Sequence, residues 1–307
     1  MKILPINYQT NQRNSKQSFG QIRPKHLFIN SYGFKKNIPW AESAIEIIEK
    51  SKEKISEGVS FGDLIDFVSK SYNKIYAGNT DFGKPRDGVW HTCITSKYDA
   101  YKGRLKNIID TEETEIVVQD IYSWQYGSLA KAHTMTAVLK NSNRKMELNK
   151  IFLLKENPEF GVHFEESPLW SNGDGMLVLS SPDIDVVKPV FEEVGLIYEN
   201  ILNKKEKPAK SVIEDISKEV GQIHWLISQT RPYGRGSAGI ADILAKSIFE
   251  AKGIQVSSYK KDVNPNMEAF VLPMEKYSEE YKNFFSKPLR PIRASDIAFN
   301  PNKGIKR

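Results

Sequence analysis

The sequence predicts a mainly α-helical fold with a smaller α+β lobe. Three observations carry that expectation. Apolar residues recur at helical spacing through most of the chain, and strict apolar–polar alternation is scarce. Residues 150–182, which hold Pro158, Gly161, Pro168, Gly173, Gly175 and Pro182, are the least regular region and are expected to form the small lobe or a β-containing insert. With 307 residues and 39% hydrophobic content, the chain can build a substantial core, either as one large domain or as a domain with a smaller lobe.

Residues 1–25 are rich in Asn, Gln, Ser and Arg and show no period, so they are expected to be a flexible leader. A single domain is expected over 26–287, its smaller lobe or insert around 115–182, with a proline-punctuated basic tail over 288–307. Pro39 suits the first turn of a helix whose apolar face is Ala44, Ile45, Ile47 and Ile48 and which closes before Gly58. Ser60 then caps a second helix carrying Leu64, Ile65, Phe67 and Val68, giving an αα-hairpin. Residues 75–90 read as a loop, and 98–109 as a helix with Tyr101, Leu105 and Ile108 inward and Lys102, Arg104 and Lys106 on a solvated face. Thr95 and Ser96 precede that helix, to cap it or to face a ligand cleft.

Residues 115–124 are strand-like in composition, with a short helix as the alternative, and 128–139 read as mixed or extended. His163 stands beside Glu165 and Glu166, which invites an acid–base or metal reading, although the spacing matches no His/Glu metal motif. Residues 183–202 and 211–228 are amphipathic helices joined by a charged linker. His224, near the end of the second, is expected at the edge of the core, with Trp225 packing inside it. Pro232 should end that helix, and a new one starts at Ser237, whose Ala238, Gly239, Ala241 and Ala245 keep one side thin and suit close central packing. Beyond it an extended stretch is expected over 261–270 and a short helix around 275–285.

The corner Arg231-Pro-Tyr-Gly-Arg-Gly-Ser237 admits two readings. It is either an ordinary helix–turn–helix corner with a solvated or paired arginine, or an anion cradle made of Arg235, Gly236 and a Ser237 N-cap at a fresh helix N-terminus.

Other classes are excluded. A single cysteine, Cys93, excludes an internal disulfide and any cysteine-cluster zinc site. No apolar run reaches the roughly eighteen residues of a membrane helix, and the N-terminus lacks a signal-peptide core. Glycine-rich dinucleotide, phosphate-loop and serine-elbow motifs are absent, as is any internal repeat. The 44 basic residues are dispersed and largely matched by 38 acidic ones, so nucleic acid is not the expected partner, while a net charge of +6 suits a phosphorylated small molecule or an acidic protein.

His224-Trp, Pro232 and Arg235-Gly-Ser-Ala238 resemble the signature of the AvrB avirulence effector family of plant-pathogenic bacteria. The similarity runs without a gap to Gly253-Ile254 and continues loosely through Met267-Glu-Ala269 to Glu279-Glu-Tyr281, with a weaker echo at Thr95 and Tyr101-Lys102. The resemblance implies a Fido-like (Fic/Doc-related) helical bundle with a smaller α+β lobe, and delivery of a bacterial protein into a host cell by a specialised secretion route, failing which it would be cytoplasmic. It also implies a glycosyltransferase that moves a sugar such as rhamnose from a nucleotide sugar to a host regulatory protein. In these terms Arg235 matches the family's pocket arginine and Thr95 its pocket threonine. The pocket aspartate falls at Asn266, whose amide holds hydroxyls but is no base, so either the chemistry differs, another carboxylate such as Asp262 or Glu268 substitutes, or activity is lost. His163 is the guessed counterpart of the pocket histidine. Arg235, Thr95, Asn266 and His163 are thus the expected catalytic set, and Arg235, Gly236, Ser237 and Thr95 the expected nucleotide-sugar contacts, with no resident metal or cofactor. The His-Pro-Phe…Gly-Asn-Gly-Arg loop of ordinary Fido enzymes is missing, which disfavours AMP transfer. The alternatives are a non-catalytic effector that binds a host protein and a Fic-like nucleotidyl transferase.

Overall fold

The computed structural model describes residue 27, residues 38–76, 81–94, 98–111, 115–120, 127–154 and 176–293, and residue 296. The expected leader, Thr95 and Ser96, His163 with Glu165 and Glu166, and the end of the tail lie outside the described residues.

The fold is of the expected class, a mainly helical bundle with a smaller mixed α/β lobe. Helix α1 (Ile38–Ser56) packs against α2 (Phe61–Ile75), which the Ser60 side chain caps by accepting from the Asp63 amide at 3.2 Å. Helix α3 (Asp99–Thr111) buries Tyr101, Leu105 and Ile109. A 3₁₀ turn at Ile184–Val186 leads into α4 (Val187–Asn203). The long α5 (Lys210–Thr230) is the hub of the bundle, touching α4, α6 (Ser237–Ala251), α7 (Pro265–Val271) and α8 (Met274–Glu280). A 3₁₀ turn, Tyr281–Phe284, extends α8.

Helix α6 is buried at every residue from Ile240 to Glu250, in keeping with the central position expected of it, and that buried stretch includes Asp242, Lys246, Ser247 and Glu250. Its thin side receives Tyr72 of α2. A Cβ on Gly239 would stand 2.3 Å from the Tyr72 hydroxyl oxygen, and one on Gly236 would stand 2.4 Å from its ring, so both glycines are required for that approach.

The lobe is a five-stranded antiparallel sheet in the order β1-β5-β4-β3-β2, with β1 His91–Cys93, β2 Glu115–Asp120, β3 Gly127–Leu139, β4 Arg144–Leu154 and β5 Met176–Ser180. Of the two readings open for 115–124, the strand is the one adopted over β2. Helix α3 packs on β3, β4 and β5. The β3–β4 turn docks on α4, where the buried Glu193 carboxylate accepts from the Asn141 amide at 2.9 Å.

One expectation needs correcting. Residues 261–270 are not extended throughout. Asn264 accepts from the Met267 amide at 3.2 Å and Pro265 takes the first helical position, so α7 starts there. At the start of the expected tail the chain is tied to the bundle. Strand β7 (Arg290–Pro291) pairs with β6 (Ile254–Gln255), and Arg290 forms a two-bonded pair with Asp296, both contacts at 2.7 Å.

Candidate functional site

The corner between α5 and α6 is fixed by backbone rather than by side-chain caps. Helix α5 ends at Arg231, in the left-handed region at φ 44°, because Pro232 disfavours helical geometry at the residue before it. Ser237 is not the N-cap of α6, which corrects the sequence reading. Gly236, at φ 90°, occupies that position, and the Ser237 hydroxyl turns back to accept from the Tyr233 amide (3.2 Å) and donate to its carbonyl (3.3 Å). The loop 81–88 runs alongside and pairs with the corner. The Gly83 amide donates to the Arg235 carbonyl at 3.0 Å, the Arg235 amide to Asp81 at 3.0 Å, and the Gly234 amide to Lys84 at 3.1 Å.

These bonds present the exposed Arg235 guanidinium over the Phe82 ring, 5.8 Å from its centroid. Phe82 in turn stacks on Tyr76 at 3.8 Å and 9°. Trp90 packs over the Gly234 backbone. Arg231 donates to the Leu179 carbonyl at 3.3 Å and to the Thr92 hydroxyl, tying the corner to β5 and β1. His91 is held below its ordinary pKa, first by burial and then by the Arg231 charge. The outcome is an arginine–aromatic cluster at the seam between bundle and sheet.

Asn266, half-buried, sits in the first turn of α7, on a different element from Arg235. Neither carboxylate considered as a substitute base is set up for that role. Glu268 is engaged by Arg104 through two bonds of 2.8 Å and accepts from the Tyr101 hydroxyl at 3.0 Å. Asp262 is exposed on a turn, where its carbonyl accepts from Tyr101 at 3.4 Å.

Two polar groupings escaped the sequence reading. Arg86 is buried and donates to the carbonyls of Arg231 (3.0 Å), Gly88 (2.5 Å), Asp183 (3.2 Å) and Thr230 (3.4 Å). It thereby places a cation at the negative end of α5 and ties the loop, α5 and the start of α4 together. Burial lowers its pKa, and the Asp183 charge opposes that shift.

The second grouping lies inside the bundle. Lys246 donates to Asp242 at 2.7 Å on α6, with both side chains almost fully buried. Tyr259 donates to the same carboxylate oxygen at 2.7 Å and stands 3.4 Å from the Tyr281 hydroxyl, which lies 2.8 Å from His224 Nδ1. Lys246 also sits over the Tyr259 ring at 4.0 Å. Burial, the largest influence, lowers the Lys246 pKa and takes that of His224 to about 4, so the imidazole is neutral at ordinary pH. His224 is therefore fully interior, not at the core edge. Trp225 packs inside as expected and donates to the Leu272 carbonyl at 2.8 Å.

The fold and corner define a helical protein with an antiparallel lobe and a presented arginine at their seam. Residues 68–288 match the AvrB/AvrC family, described as avirulence proteins, and the chain belongs to that family. No curated protein matches the chain significantly. The family finding overturns the sugar-transfer expectation and, with it, the nucleotidyl-transfer alternative, because membership supports a non-catalytic effector that binds a host protein. Among the described residues there is no group of three or more His, Cys, Asp or Glu side chains placed to hold a metal, and no helix long and apolar enough to cross a membrane.

Proposed function

We propose that this protein is an effector that acts by binding a regulatory protein of its host, without transferring a group to it. The carrying observation is the exposed Arg235 held over Phe82 by a backbone pinned to residues 81–84. Arginine and large aromatic residues dominate interface energetics, and a side chain positioned before binding loses less entropy when the partner arrives. An acidic or carbonyl-rich segment of the partner suits the guanidinium fork. Delivery into the host cell by a specialised secretion route belongs to the same reading and rests on family membership. So does a Fic/Doc-type ancestry for the bundle, for which the corner between two buried helices is the supporting feature.

Arg235→Ala removes only an exposed side chain, so folding should be intact. Calorimetric titration with the host partner should show affinity about tenfold weaker. Unchanged affinity would remove the corner from the interface.

A further inference from the structure

A second surface lies at the opposite end of α5. The first turn of α5 and residues 282–291 enclose a groove of about 520 Å³. Its floor is apolar, formed by Ile213 and Phe285 with Leu289 beside them. Its rim is cationic, with Lys210, Lys260, Lys282, Lys287 and Arg290 and, among the described residues, a single lining carboxylate, Glu214. Two of these five cations already have partners, Lys282 with Glu214 at 3.0 Å and Arg290 with Asp296 at 2.7 Å. Lys210, Lys260 and Lys287 are exposed and form no ion pair among the described residues. Lys210 lies near enough to Glu214 to help lower its pKa, so that carboxylate is shared and the groove keeps an excess of positive charge.

The walls are held by main-chain bonds. Lys260 donates to Phe284 at 2.8 Å, Ser286 to Ser258 at 2.8 Å, and Ile292 to Gly253 at 2.9 Å. The groove is therefore formed before any ligand arrives.

We propose that this groove binds an extended acidic segment of a partner protein, seating one apolar side chain on Ile213 and Phe285 and placing carboxylates at Lys210, Lys260 and Lys287. The apolar floor argues against a small inorganic anion, which would leave it wet, and a concave groove of this size is too small for a nucleic-acid duplex and does not match a membrane plane. The surface is independent of the Arg235 corner. Helix α5 has 21 residues, which at the standard rise separates its ends by about 30 Å. The proposal relies on the host-protein reading only in taking its ligand to be a protein segment.

The test is fluorescence anisotropy of the full chain with a labelled peptide, Gly-Asp-Glu-Phe-Glu-Asp-Gly. Binding should be saturable and weaken about tenfold when salt is raised from about 0.05 M to about 0.5 M. Lys260→Glu combined with Lys287→Glu should weaken it by about tenfold or more, and replacing the peptide's Phe by Gly should weaken it about fivefold. Lys210→Glu is a second variant, also exposed and at no cost to the core. Arg235→Ala should leave peptide binding unchanged. If the peptide fails while the Arg235-dependent partner still binds, the groove alone is refuted; if the reverse holds, the corner alone is. The proposal is overturned if the lysine variants bind like the unaltered chain, if the Phe makes no difference, or if anionic phosphatidylserine vesicles or a short RNA displace the peptide stoichiometrically.

Discussion

Asp242→Ala is expected to destabilise the fold by about 3–5 kcal/mol, because it leaves the Lys246 ammonium buried without its carboxylate. The loss extends beyond one ion pair. Tyr259 donates to the same oxygen and contacts the Tyr281 hydroxyl, which holds His224, so removing the carboxylate unseats donors on α6, α5 and the segments around 259 and 281. Replacing both charged groups, Asp242→Leu with Lys246→Met, should recover about half of the loss or more, since no bare charge then remains and apolar side chains of similar volume fill the site. Urea unfolding of the three chains at constant m-value gives the comparison. A single variant as stable as the unaltered protein would show that Lys246 is not charged against Asp242 in the folded state.

Arg86→Met should cost about 3 kcal/mol, because it removes charge-assisted bonds to four carbonyls and leaves part of that set buried without a donor. Arg86→Lys should recover only part of this, since one ammonium cannot span carbonyls that a planar fork reaches from several directions. The damage should be partly local. With Arg86 gone, the loop 81–88 is less firmly held to α5, and the Gly83 and Arg235 amides should exchange with solvent faster than those of α6. Uniform exchange across the corner and α6 in Arg86→Met would mean that Arg86 does not clamp the loop.

Much of the helical frame was legible because local signals agreed with the global packing. Ser60 capped α2, Pro232 ended α5, and the run of small residues in α6 marked its thin side. Where the reading failed or stayed open, the signal was short or interrupted. Strand β3 was ambiguous because a register shift between Thr134 and Thr136 breaks the alternation of its buried residues Ala132, Met135, Ala137 and Leu139. Helix α7 was missed because seven residues carry too little period, although Asn264-Pro265 had the form of a cap followed by a first-turn proline.

At the site, Arg235 stood out in Gly234-Arg-Gly-Ser237, but its platform did not, since Phe82 and Tyr76 come from a distant loop and helix. Arg86 lies in the stretch read as a loop, between Pro85 and Asp87, and nothing local announces carbonyl partners near residue 230. The four-residue spacing of Asp242 and Lys246 within an apolar helix was a readable sign of a buried pair. The assignment of chemistry went astray because the resemblance supplied a pocket arginine without showing what surrounds Asn266 and Glu268.

The most direct test of the account is the intact mass of the host partner after incubation with the full chain and a pool of nucleotides and nucleotide sugars, read alongside complex formation. The account predicts a stable complex, weakened by Arg235→Ala, in which the partner's mass is unchanged. A mass gain on the partner that disappears with Arg235→Ala would contradict it.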